Sequence, residues 1–346
     1  MEYQYNRTYI IGIIENYEEH VMSPKAQLGG IYPRSEQLIE LTRSYDRAKT
    51  DLESVKKQVE QDILELIKLQ DDSGFETFSD GAFAWQDQLR PIVESLDGVT
   101  NGTRYDRWFD TNTFYKKPTV AGKISVRGFE PKNFIRTDLL PRTKGWKVTV
   151  PGPYTFSQLS ENLHYTSQAD LLSAVASAEH EIIERLKDAG VSRFQLSEPC
   201  LVYRPYREQA LGKAELDNAL AAIQKTVEGI QAKFSVHTYF GDATTILPNL
   251  LKLPVDTVGF DLFETDYSKL KIETTKKIAL GIIDGRESNA ESPKWIAETA
   301  TRVSKHVTGG DFVLAPNSDL KFVPRKVADV KARALAEATR LFEEGR

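Results

Sequence analysis

With 346 residues, 40% of them hydrophobic, and a formal net charge of −5, the chain can bury a sizeable core and has no basic excess to invite nucleic acid. No apolar run approaches the length of a membrane span, and Tyr9–Ile14, short and followed by acids, does not read as a signal peptide. One cysteine excludes an internal disulfide and any zinc site built from two cysteines of this chain, and it makes a cytoplasmic protein the expectation.

Tyr9–Ile14 reads as a first strand. A long helix is expected over about Ser35 to Gln70, because Leu52, Val55, Val59, Ile63 and Leu66 step by three or four and give one buried stripe. A strand near Glu76–Ser79 and a helix around Gln86–Leu96 follow. The stretch through Asn101-Gly102 reads as loop, with a strand at Thr119–Ile124 and another at Trp146–Val150 that stops at Pro151-Gly152-Pro153. Ser167 with Asp170 resembles a capping box, and Leu171, Val175, Ala178 and Ile182 continue a helical face up to Gly190. Strand-like runs recur at Arg193–Leu196, Lys233–Thr238, Thr257–Leu262, Lys277–Ile283 and Asp311–Leu314, and a last helix covers about Val327–Glu344.

Strands alternating with helices at this count predict an α/β chain folded as one (β/α)8 barrel over residues 1–346. A doubly wound open sheet competes, but no Gly-rich phosphate loop follows the first strand. Five short segments carry the chemical information. They are Gly30-Ile31-Tyr32-Pro33-Arg34, Asp80-Gly81-Ala82-Phe83, Gln195-Leu196-Ser197-Glu198-Pro199, His237-Thr238-Tyr239-Phe240-Gly241 and Pro316-Asn317-Ser318-Asp319-Leu320-Lys321. Four of the five lie at a predicted strand end, where barrel enzymes keep their active sites. The first follows Tyr9–Ile14 only after a longer loop.

In their order and spacing these segments resemble the cobalamin-independent methionine synthase family, over nearly the whole chain. Trp108-Phe109-Asp110-Thr111-Asn112, Pro151-Gly152-Pro153-Tyr154-Thr155 and Gly281-Ile282-Ile283-Asp284-Gly285-Arg286 add to the likeness. The resemblance implies a barrel. In the catalytic members it also implies a zinc ion that ionises the homocysteine thiol for attack on a folate-bound methyl group. A free thiol is mostly protonated at neutral pH, so a metal with soft ligands has a clear task there.

Against those motifs, the positions that would do this chemistry are changed. His237 matches the histidine of a His-x-Cys pair, but Tyr239 stands at its cysteine. Ser318 stands at the second cysteine, in Pro316-Asn317-Ser318-Asp319-Leu320-Lys321. Asp261 or Glu264 would be the acidic ligand. An Asp-Glu-Pro motif reads Ser197-Glu198-Pro199, a Gly-Glu-Phe motif reads Gly81-Ala82-Phe83, and a Gly-Ser-Phe-Pro motif reads Gly30-Ile31-Tyr32-Pro33. The His-Thr-Tyr-Phe-Gly form is closer to the family's non-catalytic N-terminal barrel.

The resemblance therefore implies a chain that binds no zinc itself, with metal ligand positions replaced by Tyr239 and Ser318. It would work beside a separate zinc-bearing catalytic barrel and with a methyl-folate-type small molecule. His237, Asp261 and Glu264 are the catalytic candidates, and Asp284, Arg286 and Glu198 the substrate-binding ones. Two alternatives stay open. One is a self-sufficient methyltransferase with an altered metal site on His237, Asp261, Glu264 and Cys200; the other is a regulatory barrel binding a folate or a corrinoid protein. Each residue also has a structural reading: His237 hydrogen-bonded in the mouth, Asp284 with Arg286 as an internal ion pair, and Cys200 as a buried thiol. Trp85, Trp108 and Tyr115 could stack on a pterin or simply pack. Lys116, Lys117, Lys144 and Lys147 could meet a polyglutamate tail or face water.

Overall fold

The computed structural model describes residues 25–203 and 211–344, so the expected strand Tyr9–Ile14 lies outside the described residues. Eight parallel strands build the main sheet: β1 (Lys25–Ala26), β2 (Thr77–Phe78), β3 (Gly145–Pro151), β4 (Arg193–Ser197), β5 (Lys233–His237), β6 (Thr257–Asp261), β7 (Lys277–Ile283) and β8 (Phe312–Pro316). Across the sheet they run β1-β8-β7-β6-β5-β4-β3-β2. Each strand thus lies beside its neighbours in chain order, and the last returns to the first. That is the order of a (β/α)8 barrel, whereas a doubly wound sheet would reverse direction at a switch point. Between the end strands β1 and β2, Tyr32 N–H donates to the Gly81 carbonyl at 2.9 Å and Lys25 pairs with Glu76 at 2.9 Å.

The strands alternate as their period of two requires. Phe194 and Leu196 of β4, Phe234 and Val236 of β5, and Val258 and Phe260 of β6 are buried in the layer shared with the helices. Each such side chain contributes roughly 1.5–3 kcal/mol. The opposite positions are polar or small: Lys147, Gln195, Ser197, Ser235, His237, Gly259 and Ala279. A barrel interior is more often packed with branched aliphatic residues. This one is lined with hydrogen-bonding groups.

Three elements differ from the sequence reading. The long helix is two, Glu36–Asp46 and Leu52–Asp72, because Ala48 turns to φ +53° and Asp51 caps the second helix by accepting Ser54 N–H at 2.7 Å. The helix expected over Gln86–Leu96 is confined to Arg90–Glu94. The stretch read as loop is the first strand of an antiparallel ribbon, Leu96–Arg107, paired with Phe114–Val126, which contains the expected strand Thr119–Ile124. The Asn101-Gly102 pair sits within the first strand at a register shift rather than at a turn. The predicted cap at Ser167 is present and opens the helix Gln168–Asp188, which packs against the second ribbon strand.

Candidate functional site

All five segments sit at carboxyl ends of barrel strands. The first does so because β1 is Lys25–Ala26, immediately before it. Arg34 fixes the loop after β2, donating from Nε to Phe83 O and from Nη2 to Trp85 O, both at 2.9 Å. Gly30 has φ +70°, and a Cβ there would overlap the Asp319 carboxylate, so the loops after β1 and β8 touch.

His237 ends β5, and its imidazole lies over Gly259 of β6, where only a hydrogen leaves room for the ring. Burial, with the Lys147 charge beyond it, pulls the imidazole down to about 3, so it is neutral at physiological pH. Tyr239, at the expected cysteine position, is buried, and its hydroxyl approaches Ser197 and Gln88 without a hydrogen bond of good geometry. Burial pushes this phenol well above its ordinary range, so it is no substitute for a thiolate. Ser318 donates its hydroxyl to Asn317 Oδ1 at 3.0 Å.

Asp261, fully buried at the end of β6, accepts Phe263 N–H at 2.9 Å, Phe240 N–H at 3.2 Å and the Asn317 amide at 3.1 Å. It holds Phe240 at φ +66°, a conformation that costs a non-glycine residue energy. Burial pushes the Asp261 carboxyl up to about 6 against these hydrogen bonds. Glu264 lies apart from this cluster and pairs with Arg286 at 3.0 Å. Arg286 also reaches Asp284 at 3.4 Å, and its guanidinium stacks 4.7 Å from the Phe240 ring. The expected Asp284–Arg286 pair is therefore an internal ion pair extended by Glu264.

Glu198, the remaining substrate-binding candidate, faces the backbone. Its carboxylate accepts Tyr154 N–H at 3.0 Å and Thr155 N–H at 2.7 Å, at the start of the short helix Pro153–Gln158. Burial pushes it up to about 7 despite those donors. Cys200 is half-buried and packs against the core. Zinc, which the family resemblance implies for catalytic members, does not fit these side chains. His237 faces a glycine, Asp261 is committed to amides, and the two cysteine positions carry hydroxyls. Among the described residues no three of His, Cys, Asp or Glu gather in a metal-holding group.

The ribbon adds side chains to the mouth. Its connection brings Trp108 and Phe109 over the mouth, with Phe109 edge-on to Tyr203 at 4.9 Å and to Phe240 at 5.8 Å. Lys321, after β8, lies 5.4 Å over the Trp108 ring and 3.8 Å from Asp319. Gln88 donates its amide to Asp319. Trp108 Nε1, Tyr239 Oη, Ser197 Oγ and Gln88 Oε1 are buried without a hydrogen-bond partner. The sequence signal for Asp319 and Lys321 was present, since both lie in the last motif; Gln88 had none. Trp85, Trp108 and Tyr115 are all buried in packing, and Trp85 donates to Asn133 O at 3.1 Å. Of the four lysines considered for a polyglutamate tail, Lys147 is buried inside the barrel.

The family model described as the N-terminal domain of cobalamin-independent synthase matches residues 97–308. The methionine synthase of Sulfolobus acidocaldarius is 26% identical over 320 residues, 91% of each chain. That of Sulfurisphaera tokodaii is 25% identical over 318 residues, again 91% of each. Among solved structures, a B12-independent methionine synthase from Shewanella sp. W3-18-1, in complex with selenomethionine, superposes with a TM-score of 0.76 at 19% identity. The match covers 94% of this chain and 98% of that one, a likeness of fold.

Proposed function

This chain belongs to the cobalamin-independent methionine synthase family, and from that premise we propose that it is the N-terminal-like barrel of a two-chain methionine synthase. In this reading a separate zinc-bearing barrel carries the thiol chemistry, and the pair moves a methyl group from a methyl-folate-type donor to homocysteine. The observation that carries the proposal is the filling of the expected metal position. Tyr239 is buried there with its hydroxyl toward Ser197 and Gln88, while Asp261 is consumed by backbone amides. A hydroxyl of raised pKa cannot ionise to replace a thiolate. The family match over the N-terminal-domain model supports the same assignment.

The test is methionine formation from homocysteine and a methyl-folate donor by this chain, by a zinc-bearing barrel of the same family, and by both together. The expected outcome is no product from this chain alone and a several-fold gain when it is added to the partner. Methionine made by this chain at a rate indifferent to any partner would overturn the proposal. Zinc content of the purified chain, with His237→Ala beside it, is the companion measurement. One zinc per chain, lost in the variant, would assign the chemistry to this barrel instead.

A second reading, ligand binding in this barrel's own mouth, is favoured by the four unpartnered polar atoms on Trp108, Tyr239, Ser197 and Gln88. Buried groups of this kind cost stability unless something meets them. A donor molecule would do so in either reading, and saturable folate binding without any effect on a partner's catalysis would select the second.

A further inference from the structure

At the end of the barrel opposite this site, the amino ends of the strands enclose a cavity of about 430 Å³. The cations on its wall are Lys25, Lys147, Arg193, Lys233, Lys276 and Lys277, against two acids, Glu76 and Asp256. This basic excess is local, because the chain as a whole carries −5. Both acids are already committed. Glu76 pairs with Lys25 at 2.9 Å, and Asp256 pairs with Lys233 at 2.8 Å while also accepting Phe234 N–H at 2.9 Å.

Of the four cations left, Lys276 donates to Val255 O at 2.6 Å and Lys277 lies exposed at the rim, whereas Lys147 and Arg193 stand side by side. They are paired positions on β3 and β4, and among the described residues neither has a carboxylate within ion-pair distance. Lys147 is 4% exposed, and among the described residues its ammonium meets only neutral oxygens, Gln195 Oε1 at 3.1 Å and Gln27 Oε1 at 3.4 Å. Two like charges side by side, one deeply buried, are costly without a counter-ion. The amino-terminal face of a barrel ordinarily serves stability, and stability alone would favour an acid or an apolar side chain at these positions.

We propose that this cavity is a binding site for a small oxyanion, a phosphate or the phosphoryl or carboxylate group of a small molecule, held between the Arg193 guanidinium and the Lys147 ammonium. A guanidinium presents paired donors that match two oxygens of either group. Lys147 adds a charge from the buried side. Burial, together with the Arg193 charge, pulls the Lys147 ammonium down to about 7. An anion beside it opposes both effects, so binding above neutral pH takes up a proton. The cavity opens at the face opposite the barrel mouth, and the proposal does not depend on the methyl-transfer reading, although the Lys147 charge is also felt at His237.

The test is calorimetric titration of the full chain with sodium phosphate, and separately with sodium acetate, at constant ionic strength set by sodium chloride. Running it at pH 8 in two buffers of different ionisation enthalpy reads the proton uptake. The expected result is saturable binding of one anion per chain with proton uptake, weakened about tenfold or more by Arg193→Gln. Lys294→Gln, a change at a distant exposed lysine, leaves it unaltered. Lys277→Gln, at an exposed rim position, weakens it less and keeps the test decisive if the Arg193 variant folds poorly. Saturation by phosphate alone assigns a phosphoryl group, and saturation by both anions assigns oxyanions in general. No saturable heat, or binding indifferent to both cavity variants, overturns the proposal.

Discussion

The imidazole of His237 shows how burial decides chemistry at a single residue. Its ordinary value is 6.5, and burial with the Lys147 charge takes it to about 3 in the folded chain. Unfolded chains therefore bind a proton as the pH drops through 6.5, while the folded chain binds it only near 3. The stability held above 6.5 is lost progressively between those values, as the proton-binding difference requires. The expected observation is a His237 ring resonance that does not move between about pH 5 and 8, the range in which a free histidine titrates. Replacement by Gln should flatten the acid-side fall in unfolding free energy. A ring that titrates near its ordinary value would place His237 in water and reopen its use as a base. The identity of this residue was plain in its motif. Its neutrality was not, because it depends on Gly259 and Lys147, which come to it from other strands.

At the scale of elements, Glu198 is an anchor for a helix start. It satisfies two amide donors of Pro153–Gln158 across more than forty residues of chain. Glu198→Ala would leave Tyr154 and Thr155 N–H groups buried without acceptors, at about 1–3 kcal/mol each. A loss of roughly 3 kcal/mol in denaturant unfolding is expected, with a smaller loss for Glu198→Gln, which keeps an acceptor. An unchanged midpoint in the Ala variant would free Glu198 for a substrate role. The motif around it was legible and its task was not, since the donors belong to another segment. The first ribbon strand, Leu96–Arg107, was missed for a related reason, whereas the second, Phe114–Val126, contains the expected strand Thr119–Ile124. Burial along the first is irregular, with bulges at Asp97/Val99 and Asn101/Tyr105, so no clean alternation reaches the eye. The barrel strands were legible as short apolar or β-branched runs, such as Phe194–Leu196, Val258–Phe260 and Ile278–Leu280, set between longer helical patterns.

For the molecule as a whole, the helix Arg325–Glu344 ties the first motif to the last third of the barrel. Tyr32 donates its hydroxyl to Asp329 at 2.8 Å, and Arg325 stacks 5.3 Å from the Tyr32 ring. On the same helix the fully buried Lys331 pairs with Glu291 at 2.7 Å and donates to Asn289 O at 2.8 Å. The other Glu291 oxygen accepts Asp284 N–H at 2.9 Å, so this pair holds the loop after β7. Lys331→Ala should cost about 3–5 kcal/mol, the loss seen when one partner of a buried pair is removed. Thermal and denaturant unfolding check it, and a loss below 1 kcal/mol would show that water reaches Glu291.

By themselves the residues determine the alternation of strand and helix, the likeness to a barrel family carried by the ordered motifs, and the absence of thiolates at the motif positions. Local periodicity and residue identity suffice for these, because each is written within a few neighbouring residues. The folded chain alone decides which acids are spent on backbone amides, where the ribbon lies, and that Lys147 stands inside the barrel instead of in water. Those outcomes are set by groups distant in sequence whose meeting depends on closure of the sheet, and no local pattern records it.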